Sequence, residues 1–543
     1  MRWMGMGVLA LSFLAGQAAA GDDKQEKVDK IFTNYDKAGS PGCAVGVIQD
    51  GNFVYRKGYG MGSIELGVPL TSQSVFYMGS VSKQFTAASV VLAAEQGYLA
   101  LDDDIRKYVP ELPDYGYKIT LRQMLHHTSG LRDLLTLFEL AGRDVADVHS
   151  EAEIIDLIAR QKSLNNVPGE EYIYSNTNYY LAGVAVHRAT KKTLNEFATE
   201  NIFKPLGMTH TRYYDDHTLI LPNRVAAYSP GDEGKFTVDW STQFDTVGAG
   251  GLMSTVDDML LWDRNFYDNQ LGKGTLLKEL QTKGTLNNGK EIRYALGLEM
   301  VPYRGLPTVE HDGALYGYRT VILRFPEQKF SVVSLCNLSS ASTSSLAHKV
   351  ADVYLEKSFK AEAGAWQKGG YSGAPDPNKF SGKYLDRRKQ MVYSFTASDG
   401  SLNAWGATLR RMGPNQFMDL GSGKITFEEA DGGMNCVLEL FGDAFFSGKR
   451  IAEPKISAAD LAAFTGKFKS EELGTTYEFV VKDGKLKVQR GWFPELSLTP
   501  LTDDEFDSEE LGTFVFRRDA NHKVTGYGLY SSAARNIGFE KVM

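Results

Sequence analysis

Cysteine is scarce: only Cys43, Cys336 and Cys436 occur in 543 residues. Three thiols exclude a disulfide-knit scaffold and any four-cysteine zinc site. The odd count leaves at least one unpaired within the chain, and the apolar neighbours of each predict buried thiols. Blocks of like charge are missing too. Lys and Arg total 59 against 67 Asp and Glu, a net charge of −8. That balance excludes a general affinity for nucleic acid, which draws on clustered cations. Beyond the first twenty residues no run approaches 18 uninterrupted apolar residues, so no membrane anchor is expected in the mature chain.

What is present is a folded, multi-domain composition. Hydrophobic residues make up 43% of the chain and aromatics 11%, too much for a disordered chain. The length predicts about three or four domains. Residues 1–20 carry Arg2, a short apolar block from Val8 to Ala15 and the cleavage-like Ala18-Ala19-Ala20. This pattern predicts a signal peptide cut near Ala20, and hence a periplasmic or secreted protein.

Helical spacing from Lys27 to Asp36 is followed by two β-rich runs, Ala44–Ile48 and Phe53–Tyr55. Asp50-Gly51 between them predicts a hairpin turn. Val81–Tyr98 has helical composition, with two Ala pairs and no proline. Helical stretches and loops alternate from 120 to 270. Two more β-rich runs, Thr320–Phe325 and Phe330–Leu335, precede a helix expected over Ser345–Phe359. Strands at both ends with helices between predict an α+β layer domain over 21–360, its sheet assembled from distant parts of the chain.

Residues 361–377, rich in Gly and Pro, read as a linker. Beyond it the chain repeats itself. Phe380-Ser381-Gly382-Lys383-Tyr384 matches Phe464-Thr465-Gly466-Lys467-Phe468, and Asp399-Gly400 matches Asp483-Gly484, always at an offset of 84. Two similar antiparallel β modules are expected, over 378–455 and 456–543, as small barrels or half-barrels.

Ser80 and Lys83 stand three apart at the start of the first long helix. Residues i and i+3 share a face, and a helix N-terminus favours negative charge. A lysine there accepts a serine proton only if burial and neighbours lower its pKa. Composition alone gives about two Ser-x-x-Lys matches by chance, so the pair carries weight only in company with residues further along the chain. Tyr174-Ser175-Asn176 comes 94 residues after Ser80, in a stretch read as a loop. The phenol can shuttle a proton if a nearby cation lowers its pKa, and the Asn176 amide can hold a substrate amide. Another 137 residues on, His311-Asp312-Gly313-Ala314 is expected just before a strand. Its glycine admits a close backbone and its N–H groups can serve an oxyanion. The same four residues also read as a plain turn with a surface histidine.

These residues, in this order, resemble the serine β-lactamase and penicillin-binding-protein superfamily, in its class C-like branch of D-aminopeptidases, esterases and D-Ala-D-Ala carboxypeptidases. The resemblance spans about residues 25–355. It extends to Leu125-His126-His127-Thr128-Ser129-Gly130-Leu131, Pro205-Leu206-Gly207-Met208-Thr209 and Gly250-Gly251-Leu252-Met253-Ser254. The C-terminal β modules look like the accessory domains of the D-aminopeptidases. The resemblance implies Ser80 as nucleophile, with Lys83 and Tyr174 sharing the proton transfers. It also implies Asn176 and His311 against the substrate, and the N–H groups of Ser80 and Ala314, beside Gly313, as oxyanion hole.

One departure stands out. Lactamases and carboxypeptidases of this fold usually carry Lys-Thr-Gly or Lys-Ser-Gly where this chain has His311-Asp312-Gly313. The missing fixed cation disfavours substrates with a free carboxylate. The expectation is therefore an exported serine hydrolase cleaving small peptide amides, D-aminopeptidase-like. An esterase, a β-lactamase or carboxypeptidase, and a catalytically idle binding protein remain as alternatives. The expected partner is a small peptide or ester, and a homo-oligomer stays open. His126-His127 is expected to be a structural loop rather than a metal pair. No zinc spacing or phosphate-cradling loop is seen, and no cofactor or metal is expected.

Overall fold

The computed structural model describes residues 23–542 apart from 146, 240–245, 361–375, 419–422, 431–432, 441–442 and 455. The expected signal peptide and most of the expected linker lie outside the described residues.

The Asp50-Gly51 hairpin forms as its sequence dictates. β1 (Cys43–Gln49) and β2 (Asn52–Tyr59) pair antiparallel, and Asp50 and Gly51 both take positive φ, 49° and 72°. Such paired left-handed residues match the twist of the strands they join. The chain then builds helices α1 (Ser82–Glu95), α2 (Leu134–Ala141), α3 (Asn176–Thr190) and α4 (Val256–Asp268). It returns to the sheet with β3 (Val309–Leu315), β4 (Tyr318–Phe325) and β5 (Phe330–Cys336), and closes with α5 (Thr343–Leu355). The sheet order is β3-β4-β5-β1-β2, all antiparallel, so the first and last strands of the domain lie side by side at its middle.

Strand alternation sends β1 to both sides. Cys43, Val45 and Val47 join Val28, Phe32, Ala347 and Val350 in one core. Ala44 and Ile48 join the larger core with Val256 of α4. α1 is buried almost all round, from Ser82 to Ala93, which suits its run of small and apolar residues. Several of its polar side chains find partners inside the protein. Gln84 Oε1 accepts from Trp262 Nε1 at 2.6 Å, and Thr86 Oγ1 donates to the Gly248 carbonyl at 2.7 Å.

The cysteines correct the reading of three buried thiols. Cys43 and Cys336 sit opposite one another in the β1–β5 register and form a disulfide across 293 residues. A bond closing so long a loop stabilises by on the order of 3–5 kcal/mol. Cys436 alone is a free thiol, and it is buried.

The repeat appears as two nine-stranded antiparallel sheets with the same strand order. Their first three strands start at Gly382, Met391 and Ser401 in one and at Gly466, Thr475 and Lys485 in the other, each pair offset by 84. The end strands of each sheet are neighbours in sequence: Ala407–Thr408 and Arg410–Arg411 in one, Leu496–Ser497 and Thr499–Pro500 in the other. Each sheet is thereby nearly closed into a barrel. The 382–451 sheet has a core of its own, whereas the core of the 466–541 sheet is continuous with that of the helical region. Among the described residues, no helix is long and apolar enough to cross a membrane.

Candidate active site

Ser80 lies in the single turn Gly79–Val81 that leads into α1, and Lys83 follows one turn later. Lys83 is fully buried. Its Nζ lies 3.0 Å from Ser80 Oγ, 2.9 Å from Asn176 Oδ1 and 2.7 Å from the Ala249 carbonyl. Burial pushes its pKa down to about 7, against the opposing pull of Asp133 and Asp312. As a free amine it keeps two N–H bonds for Asn176 and Ala249 and turns its lone pair to the serine hydroxyl. That is the geometry of a general base.

Tyr174 faces the same site: Ser80 acts to lower its pKa, and Lys83 Nζ sits 4.8 Å from its ring centre. The direction of its pKa corrects the sequence expectation. Burial outweighs the influence of Ser80 and pushes the phenol well above its ordinary range. Tyr174 therefore rests as a proton donor, and Lys83 is the group poised near neutrality.

Asn176 is the first residue of α3, so the stretch read as a loop ends in a helix start. Its Nδ2 and main-chain N–H both donate to Asp133 Oδ1, at 2.9 and 2.5 Å. Only Oδ1 is left facing the site, where it accepts from Lys83 and keeps a second lone pair.

His311-Asp312-Gly313-Ala314 does not precede a strand; it lies inside β3, the edge strand. In the β3–β4 register Leu315 pairs with Tyr318 across a two-residue turn. Alternation then points the main-chain groups of Asp312 and Ala314 away from β4, to the open edge. The neighbouring Glu310 already exchanges both main-chain hydrogen bonds with Glu299. β3 also meets the nucleophile turn main chain to main chain. A methyl group on Gly313 would lie 2.2 Å from the Met78 carbonyl oxygen and 2.9 Å from Ser80 N. One on Gly79, whose φ is +53°, would lie 2.7 Å from Ala314 N. Two glycines thus bring the N–H groups of Ser80 and Ala314 to one place, as an oxyanion hole requires.

His311 is no surface residue, at 2% exposure. Its Nδ1 donates to the Asp312 carbonyl at 2.6 Å and its Nε2 accepts from the Tyr294 hydroxyl at 2.9 Å. Burial drives its pKa down to about 4, so the position carries no cation at neutral pH.

The sequence reading missed Asp133, Ala249, Tyr294 and His127. His126 and His127 diverge, as adjacency requires. His126 Nε2 meets the Thr282 carbonyl at 3.0 Å. His127 instead packs its ring 4.2 Å from that of Tyr174 and accepts from Ser175 N–H at 3.1 Å on Nδ1. It is part of the wall behind Tyr174. Among the described residues no cluster of three or more His, Cys, Asp or Glu could hold a metal.

Comparison with known proteins agrees with this geometry. The family model described as Beta-lactamase matches residues 28–355. The chain is 26% identical over 443 residues to a D-aminopeptidase of Gluconobacter oxydans, covering 80% of each chain. It is 24% identical over 517 residues to a D-aminopeptidase of Brucella anthropi, covering 92% of this chain and 95% of that one. Among solved structures, the octameric penicillin-binding protein homologue from Pyrococcus abyssi superposes with TM-score 0.55 at 20% identity, over 88% of this chain and 99% of that one. At that identity the likeness concerns the fold.

Proposed function

Because the chain belongs to the β-lactamase family of serine hydrolases, we propose that it cleaves small peptide amides through a Ser80 acyl-enzyme, as a D-aminopeptidase-like peptidase working outside the cytoplasm. The observation that carries this reading is the buried Lys83, 3.0 Å from Ser80 Oγ with its pKa near neutrality.

The steps come from the contacts. Ser80 Oγ attacks the amide carbon while its proton passes to the free amine of Lys83. The negative oxygen forms where the N–H groups of Ser80 and Ala314 converge. As the intermediate collapses, the C–N bond breaks and the leaving nitrogen takes a proton from Tyr174. The Lys83 ammonium then returns its proton to the phenolate, which restores the free amine and the phenol. Water attacks the ester and gives its proton to the free amine of Lys83, which passes it to the departing Ser80 oxygen as the C–O bond breaks. The net reaction is amide plus water to acid plus amine.

Substrate preference is argued from β3. His311 is neutral and Asp312 is exposed beside it. At position 311 a substrate carboxylate finds no cation, while an ammonium finds Asp312 as a negative neighbour. The D-aminopeptidases that resemble the chain over most of its length support the same class. Export is supported by the Cys43–Cys336 disulfide, a bond favoured in oxidising compartments. The octameric Pyrococcus abyssi relative makes a homo-oligomer the assembly to test by sedimentation.

A substrate panel on the purified protein tests the preference. The expected order of kcat/KM is D-Ala-p-nitroanilide first, p-nitrophenyl butyrate next and nitrocefin last. Nitrocefin as the best substrate would overturn the peptidase reading in favour of a lactamase.

A further inference from the structure

Asn176 has an amide whose two ends are nearly the same shape. What decides that its oxygen, not its nitrogen, faces Lys83 is Asp133. A carboxylate can only accept, and Asp133 Oδ1 takes both the main-chain N–H and the Nδ2 of Asn176. Its other oxygen accepts from Thr136 N at 2.9 Å and so caps α2. A reversed Asn176 would turn N–H groups toward Lys83 and leave that lysine with the Ala249 carbonyl but without its side-chain amide acceptor.

Asp133 is in turn held from the far side. Its own N–H donates to the Ala533 carbonyl, 2.9 Å away in the last β module. The preceding Arg132 is 2% exposed. Its guanidinium donates to Glu472 Oε2 at 2.5 Å and to the Arg535 and Asn536 carbonyls at 2.8 and 3.0 Å, all from that module. The Arg132 carbonyl accepts from Thr177 Oγ1 at 2.6 Å, next to Asn176. Residues 132–133 are therefore clamped between the last β module and the start of α3.

We infer that Asp133 is a positioning residue for the Ser80 reaction, orienting Asn176 toward Lys83, and that the last β module keeps it in place through Arg132 and Ala533. This rests on the serine-nucleophile reading of the site. The inference assigns the module a part in assembling the site.

The test reads the rate at which a fluorophosphonate labels Ser80 in the full chain, as a function of pH. In the native protein that rate rises with pH as Lys83 loses its proton, around pH 7. The charged and titratable groups facing Lys83 are Asp133 before α2, Asp312 and His311 on β3, His127 from the 126–131 loop, and Tyr174 and Tyr179. Asp133→Asn keeps the helix cap but removes a negative charge that favours the ammonium and lets the Asn176 amide turn. Labelling is expected to slow by about 10–10²-fold, with its acid limb moved to lower pH. A purely structural loss would lower the rate and leave the limb in place. If Asp133→Asn does not fold, Asp133→Glu keeps the charge but displaces Asn176. It is expected to label slowly at a native melting temperature, with the limb unmoved because the charge is kept; slowing that comes with a lowered melting temperature would mark a structural loss instead.

Glu472→Gln breaks the ion pair at the module and is expected to slow labelling by about three- to tenfold, its limb unmoved because Asp133 keeps its charge. Native rates in the folded Asp133 variant overturn the positioning role. A native rate in Glu472→Gln overturns the role of the module. A native protein that takes no label on Ser80 defeats the serine-nucleophile reading instead.

Discussion

Replacing Ser80 by alanine is expected to reduce turnover of every substrate by roughly 10⁴-fold or more, while the protein folds as before. Among the described residues Lys83 Nζ contacts three oxygens, and of these only Ser80 Oγ is a hydroxyl that can be acylated; the others are Asn176 Oδ1 and the Ala249 carbonyl. Removing one hydroxyl leaves those two contacts and the surrounding core intact, so thermal unfolding should move by a few degrees at most. Turnover assays with the D-Ala-p-nitroanilide and ester substrates, beside a melting curve, check both parts. Near-native turnover in the folded variant would place the chemistry elsewhere.

Tyr174→Phe is expected to lower amide hydrolysis by roughly 10²–10⁴-fold, the scale of losing an acid–base group. The phenol is held protonated by burial and stands beside Ser80, which suits it to protonate a departing nitrogen. An amine cannot leave without that proton, whereas p-nitrophenolate can. The same variant should therefore lose much less activity on p-nitrophenyl butyrate during acylation, best read in single turnovers. Equal losses on both substrates would assign Tyr174 to serine activation rather than to the leaving group.

The fold was legible where local signals and long-range pairing agree. Asp50-Gly51 marks the β1–β2 hairpin, and the 84-residue offset marks two alike β sheets. Other features hide for physical reasons. Three cysteines do not reveal which two meet, because Cys43 and Cys336 become neighbours only when β1 pairs with β5. Asp312-Gly313 has turn composition, yet it lies in β3 because a main chain packed against Met78 and Ser80 leaves room for no side chain at Gly313.

The Ser80–Lys83 spacing gains weight only in company with Tyr174, Asn176 and His311 further along, and the family resemblance then implies their roles. Asp133 could not be singled out in this way. It precedes an apolar helix and reads as an ordinary cap, which it also is. Ala249 contributes a carbonyl, for which a sequence carries no side-chain signal. The pKa order of Tyr174 and Lys83 needed the structure as well. A cation near a phenol lowers its pKa and burial raises it, and only the packing around Tyr174 decides between them.

The most direct measurement of the central claim is mass mapping of the protein after fluorophosphonate treatment near neutral pH. The expected result is one adduct, on the peptide that carries Ser80, absent from the Ser80→Ala variant. An adduct on another residue, or a native protein left unmodified, would contradict it.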